Sequence, residues 1–124
     1  MITLLHIKHN ASELARDAYL DAMTGLGSAE RQRAAIKSLL EKGLYSVAAL
    51  IEGDDMEEAF EMTQNGVRSD SWSQRPPKGV IAVGGEGYHE VNGKRFGYKS
   101  TSVGDIMVLN GEMHYVASFG FEKL

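Results

Sequence analysis

Residues 106–117 read Ile106-Met107-Val108-Leu109-Asn110-Gly111-Glu112-Met113-His114-Tyr115-Val116-Ala117, and this stretch decides the class of fold. Two runs of apolar and β-prone residues flank an Asn-Gly pair. Asn and Gly tolerate the positive φ that a type I′ turn needs at both central positions, so the pattern predicts a tight antiparallel hairpin. A second pair, Asn92-Gly93, lies within Tyr88–Tyr98 and predicts another hairpin. Val80–Val83 reads as a further short strand between glycine turns. From Val80 onward the chain is expected to form an antiparallel sheet.

Upstream, the period of the pattern changes. Residues 67–79 are polar and turn-prone, ending in Arg75-Pro76-Pro77-Lys78-Gly79. Before them, Asp55-Met56-Glu57-Glu58 has the signature of a capping box. Met56, Ala59, Phe60 and Thr63 then recur on one helical face until Asn65-Gly66 stops the helix. Leu44–Ile51 predicts a buried strand. Ser28 opens a helix with Ala35, Ile36, Leu39 and Leu40 as its buried stripe and Gly43 as its C′ residue. Asn10 and Glu13 predict a capping box for an earlier helix carrying Leu14, Ala15, Ala18, Ala22 and Met23 inward, stopped by Gly25 and Gly27. Ile2–Lys8 predicts the first strand. The expectation is a single α+β domain: strand-helix-helix-strand-helix over 1–66, a loop over 67–79, and short hairpins over 80–124. Neither half alone buries an adequate core.

A chain of 124 residues, 43% hydrophobic and 24% charged, has the size and composition of one ordinary globular unit. It contains no cysteine, which removes disulfides, thiolate nucleophiles and Cys-based zinc sites. The longest apolar run, Val47–Ile51, is far short of the roughly 20 residues of a membrane span. The N-terminus lacks a basic leader, so the cytoplasm is the expected location. The net charge of −4 is concentrated. Glu52, Asp54, Asp55, Glu57, Glu58 and Glu61 fall in a stretch with no Lys or Arg, between nearly neutral flanks. Such a balance argues against general nucleic-acid affinity, which depends on neutralising phosphates.

One segment resembles known proteins. Lys99-Ser100-Thr101-Ser102-Val103-Gly104-Asp105-Ile106-Met107-Val108, with Asn110-Gly111, Tyr115-Val116 and Gly120-Phe121, is similar to a Ser-Thr-Ser-Val-Gly-Asp box and terminal Gly-Phe hairpin. These occur in small proteins of bacteriophages and other mobile elements, including YodL-like families. Such proteins often place a helix ending in a Leu-Thr-Asn-like sequence, then a tryptophan, ahead of the box. Phe60-Glu61-Met62-Thr63-Gln64-Asn65 followed by Trp72 is similar, with Gln64 interrupting the Thr-Asn adjacency. The resemblance covers roughly residues 55–124. It implies an accessory protein that counters host defences or redirects host proteins. Without the resemblance, the box also reads as a structural corner: Ser and Thr satisfy backbone groups, Gly supplies a flexible φ and Asp stabilises a turn.

Several constellations bear on chemistry. His6 and His9 form an H-x-x-H pair, but at the end of a strand i and i+3 face opposite ways, and no acidic third ligand is near in sequence. Ser102, Asp105 and His114 include the residue types of a hydrolytic triad without the G-x-S-x-G elbow. Gly84-Gly85-Glu86-Gly87 lacks the Lys-Ser/Thr of a phosphate loop. No cofactor is expected. Lys94, Arg95, Phe96, Tyr98 and Lys99 mix bases with aromatics, as in a single-strand nucleic-acid surface or in an ordinary hairpin with aromatics inward. Trp72, between Arg68 and Arg75, reads either as a recognition residue or as a lid folded over the sheet. The expected function is non-catalytic capture of a host protein by the Trp72 loop with Arg68 and Arg75, the acidic segment with Asp54, Asp55 and Glu58, or both. The alternatives are a nucleic-acid-binding hairpin over residues 88–99 and a small hydrolase or ligand-binding enzyme. Self-association through an exposed strand edge is a further expectation.

Overall fold

The computed structural model describes residues 1–25, 28–83 and 88–124. Strand β1 (Ile2–Ile7) is followed by helices α1 (Ala11–Leu14), α2 (Arg16–Thr24) and α3 (Ala29–Glu41), then β2 (Tyr45–Ile51) and α4 (Met56–Met62). The remaining strands are β3 (Val80–Ala82), β4 (Tyr88–Val91), β5 (Lys94–Gly97), β6 (Ile106–Leu109), β7 (Glu112–Val116) and β8 (Phe121–Lys123). Six strands form one antiparallel sheet in the order β3-β2-β1-β6-β7-β8, while β4 and β5 pair separately. The first strand therefore lies between a strand from the helical half and one from the hairpin half.

Register explains the layers, because side chains of directly paired residues share a face. Ile2 and Leu4 pair with Ile51 and Ala49 on one side and Met107 pairs with Leu4 on the other. These residues pack against Ala59 and Met62 of α4, with Trp72 and Val80. The opposite face carries Ile106 and Tyr115, directly paired, under Ala22, Ala35, Ile36 and Leu39 of α2 and α3. The sheet is thus covered on both faces, and β1 is accordingly apolar along most of its length. A register shift between Leu4 and Leu5 inserts Ala48 as an extra β2 residue, so Ala48 and Ala49 are both buried in succession.

The turn chemistry behaves as its residues require. Asn92-Gly93 and Asn110-Gly111 both hold positive φ at each position, as a type I′ hairpin demands. Ser28 accepts from Arg31 N, and Asp55 from Glu58 N, at the first turns of α3 and α4. At the end of α3, Gly43 N donates to Leu40 O and Leu44 N to Leu39 O, the paired bonds of a Schellman cap with buried Leu44 as its apolar contact.

One helix departs from expectation. The run after Asn10 breaks at Ala15 (φ −150°, ψ 60°) into α1 and α2, and Asn10 makes no side-chain cap. The break rotates the helical face, so Ala11, Ala15 and Ala22 turn inward and Leu14 faces solvent.

Candidate functional site

Strand alternation places His6 on the same face as Ile2 and Leu4, at the last turn of β1 before the chain leaves the sheet. There it is buried and meets the Ser100–Asp105 box. His6 Nε2 shares a 2.9 Å hydrogen bond with Thr101 Oγ1, which lies 2.8 Å from Thr63 Oγ1. Thr63 in turn donates to Ala59 O in α4. Residues 102–105 form a tight turn closed by Asp105 N donating to Ser102 O. Gly104 has a φ of +92°, and a Cβ there would stand 2.8 Å from the Ala22 carbonyl oxygen at the end of α2. Only glycine suits both demands.

Asp105 is fully buried and its carboxylate is the hub of the corner. It accepts from Ile7 N at 3.0 Å, from Ser102 N at 2.9 Å and from Lys99 Nζ. Lys99 Nζ also donates to Ser102 Oγ at 3.0 Å and Ser100 O at 3.3 Å. Three oxygen acceptors thus surround the Lys99 amino group. The His6 imidazole is pushed down to about 4, chiefly by burial; Asp105 opposes that shift and Lys99 adds to it. His6 is therefore neutral near pH 7. Tyr45 donates to Gly104 O at 2.6 Å, and its phenol is raised above its ordinary range by burial first and by the Asp105 charge second.

The helix end, the tryptophan and the box meet in this assembly. Asn65 Oδ1 accepts from Trp72 N, and Asn65 Nδ2 donates to Tyr98 O. Gln64 Nε2 donates to Thr101 O, Asn65 N to Ser100 Oγ, and Trp72 Nε1 to Lys99 O. Of the two readings of Trp72, the structure shows the one folded over the sheet, and its place in an exposed binding surface is corrected: Trp72 is 0% exposed, its ring against His6 and Tyr98. The reason is energetic. An indole offers a large apolar area and one N–H, and both are satisfied here at once.

The other expected site residues are distributed as follows. Arg68 pairs with Glu58 and Glu61 on α4, and Arg75 with Asp70. These are surface pairs of small energetic weight. Asp54 is exposed and Asp55 caps α4. Of the basic-aromatic hairpin, Lys94 and Phe96 are exposed, whereas Tyr98 is drawn inward, its hydroxyl on Val83 O, and Lys99 is committed to Asp105. The Arg95 side chain and the Gly84–Gly87 loop lie outside the described residues. The imidazole that reaches Asp105, at 3.8 Å, is His6; His114 instead pairs across from Met107 and Lys123. His6 and His9 were expected to diverge, yet both line one cleft, because β1 ends at Ile7 and the chain turns between them. That cleft, about 270 Å³, is also lined by Lys8, Tyr19, Met23, Ser46, Tyr98 and Lys99. Among the described residues, no group of three or more acidic, His or Cys side chains could hold a metal ion, and no helix is long and apolar enough to cross a membrane.

Sequence reasoning missed a second feature. On the α4 side of the sheet, Phe60, Val103, Val116, Ala117 and Phe121 line an apolar groove of about 390 Å³, with Glu57 at its rim. Phe60 and Phe121 meet edge to face at 6.3 Å. Ser118 and Gly120 also line the groove, and between them Phe119 is 94% exposed. The terminal Ser118-Phe119-Gly120 turn was the available signal, since a large apolar side chain between two turn-forming residues has no core to enter. Comparison of the chain with protein-family models, curated proteins and solved structures finds no match.

Proposed function

We propose that this chain is a non-catalytic accessory protein of a bacteriophage or other mobile element, acting in the host cytoplasm by capturing and modulating a host protein. The observation that carries the reading is Phe119, held in open solvent beside an apolar groove on the same hairpin. Exposing such a ring gains nothing for folding, and aromatic anchors beside pockets are what binding hot spots use. The acidic α4 edge, with Glu57 at the groove and Asp54 at the helix start, favours a partner segment carrying Lys or Arg next to an apolar anchor. The setting comes from the similarity of the Ser100–Asp105 box to phage proteins. The buried polar assembly acts as the corner that fixes α4 and the terminal hairpin relative to each other, so Trp72 supports the surface from within.

The test compares wild type with Phe119→Ala and Glu57→Lys in nuclease-treated affinity capture from bacterial lysate. The expected result is that one protein band, retained by wild type, is lost from both variants while their thermal transitions stay unchanged. Equal capture by all three removes this surface from the function. Turnover of a metabolite by the purified chain, abolished by a change at His6 or Lys99, would replace binding with catalysis.

A further inference from the structure

The cleft at the end of β1 has a lining that the buried corner does not require. His6 and Ser46 stand directly opposite each other on β1 and β2, so their side chains share a face. Lys8 follows as the chain leaves β1, its backbone N–H on Leu44 O. From α2, Tyr19 and Met23, one helical turn apart, add a ring and a thioether to the same lining. At about 270 Å³, the space lies just under the roughly 300–1,000 Å³ of sites for drug-sized ligands, which suits a smaller molecule. Its charge runs against that of the chain. The protein has 17 Asp and Glu against 13 Lys and Arg, yet Lys8, His9 and Lys99 line the cleft and no Asp or Glu does. Lys99 is offset by Asp105, and His6 is neutral near pH 7. Lys8 is exposed and has no ion-pair partner among the described residues.

We propose that this cleft is a binding site for a small organic carboxylate with an apolar body. The carboxylate pairs with Lys8 Nζ. The Ser46 and Tyr19 hydroxyls, which have no hydrogen bond to protein among the described residues, are the neutral donors of the same lining. The apolar body rests on Ile7, Met23 and the Tyr98 ring. Charge counting selects a monoanion. Lys8 brings one unspent positive charge, and a charge taken out of water is costly unless it is paired. A carboxylate is matched by that lysine. A phosphate monoester brings nearly two negative charges near pH 7 and leaves the second unpaired in a cleft whose other lysine already serves Asp105. A neutral ligand gives Lys8 nothing that water does not. The cleft shares no lining residue with the groove beside Phe119, so its occupant is a second ligand of the chain and not the captured partner.

The probe is naphthoate, titrated into the isotope-labelled full chain and followed by backbone amide shifts. Naphthamide and naphthyl phosphate serve as the matched neutral and doubly charged arms. Naphthoate is expected to saturate with a Kd below about 1 mM, moving the amides of Lys8, Tyr19 and Ser46 while those of Phe119 and Phe121 stay still. The amide and the phosphate are each expected to bind at least about tenfold more weakly. Lys8→Met keeps the apolar stem and removes the charge. It is expected to weaken naphthoate binding at least about tenfold with an unchanged thermal transition, whereas Lys37→Met on α3, outside the lining, leaves binding as it was. The proposal is overturned by shifts that do not saturate or that fall away from the cleft, by naphthamide or the phosphate binding as tightly as naphthoate, or by full binding in Lys8→Met.

Discussion

Replacing Asp105 tests whether the buried carboxylate holds the corner together. In Asp105→Ala, the N–H groups of Ile7 and Ser102 lose their acceptor, and each unsatisfied buried donor costs about 1–3 kcal/mol. Lys99 loses its counter-charge as well, but its side chain is 43% exposed, so its ammonium turns to water and adds less than about 1 kcal/mol. The expected loss is about 3–5 kcal/mol, most of it from the two orphaned N–H groups. Asp105→Asn keeps one oxygen for Ile7 but points an N–H group at other donors, so about 2–3 kcal/mol is expected. For a domain of this size the alanine change lowers Tm by roughly 10–20 °C. Urea unfolding followed by the fluorescence of the lone, buried Trp72 measures both variants. An Asp105→Asn variant within about 1 kcal/mol of wild type would refute the reasoning, because orphaned buried donors cannot be that cheap.

Other outcomes follow from the same geometry. Trp72→Ala is expected to cost about 3–5 kcal/mol, a core truncation, measured by denaturant midpoint; Trp72→Phe keeps most of the packing and loses the bond to Lys99 O. Gly104→Ala meets both a left-handed φ and the Ala22 carbonyl, and should cost at least about 2 kcal/mol more than Gly43→Ala, whose φ is also positive but whose surroundings are open. The His6 imidazole titrates near 6.5 when unfolded and about 4 when folded. Above pH 6.5 neither state binds the proton. Between 6.5 and 4 the unfolded chain binds it first, so stability falls by about 3 kcal/mol across that window and levels off below it. Urea midpoints across this pH range should show that slope in wild type and its loss in His6→Asn.

What could be read from the chain alone was what neighbouring residues decide among themselves. Asn110-Gly111 specifies its hairpin because two positive φ values are a local demand, and Ser28 and Asp55 cap helices a few atoms away. The α+β class followed from the shift in period between residues 1–66 and 80–124. The paths of those elements were not local. His6 and Asp105 are 99 residues apart, and nothing in their surroundings along the chain announces that Ile7 N needs the carboxylate. Trp72 sits in a polar stretch that reads as surface, and only the arrival of Lys99 O, Asn65 and Tyr98 makes it core. Burial depends on which distant segments come to rest on a side chain, and that is a property of packing rather than of any window of sequence.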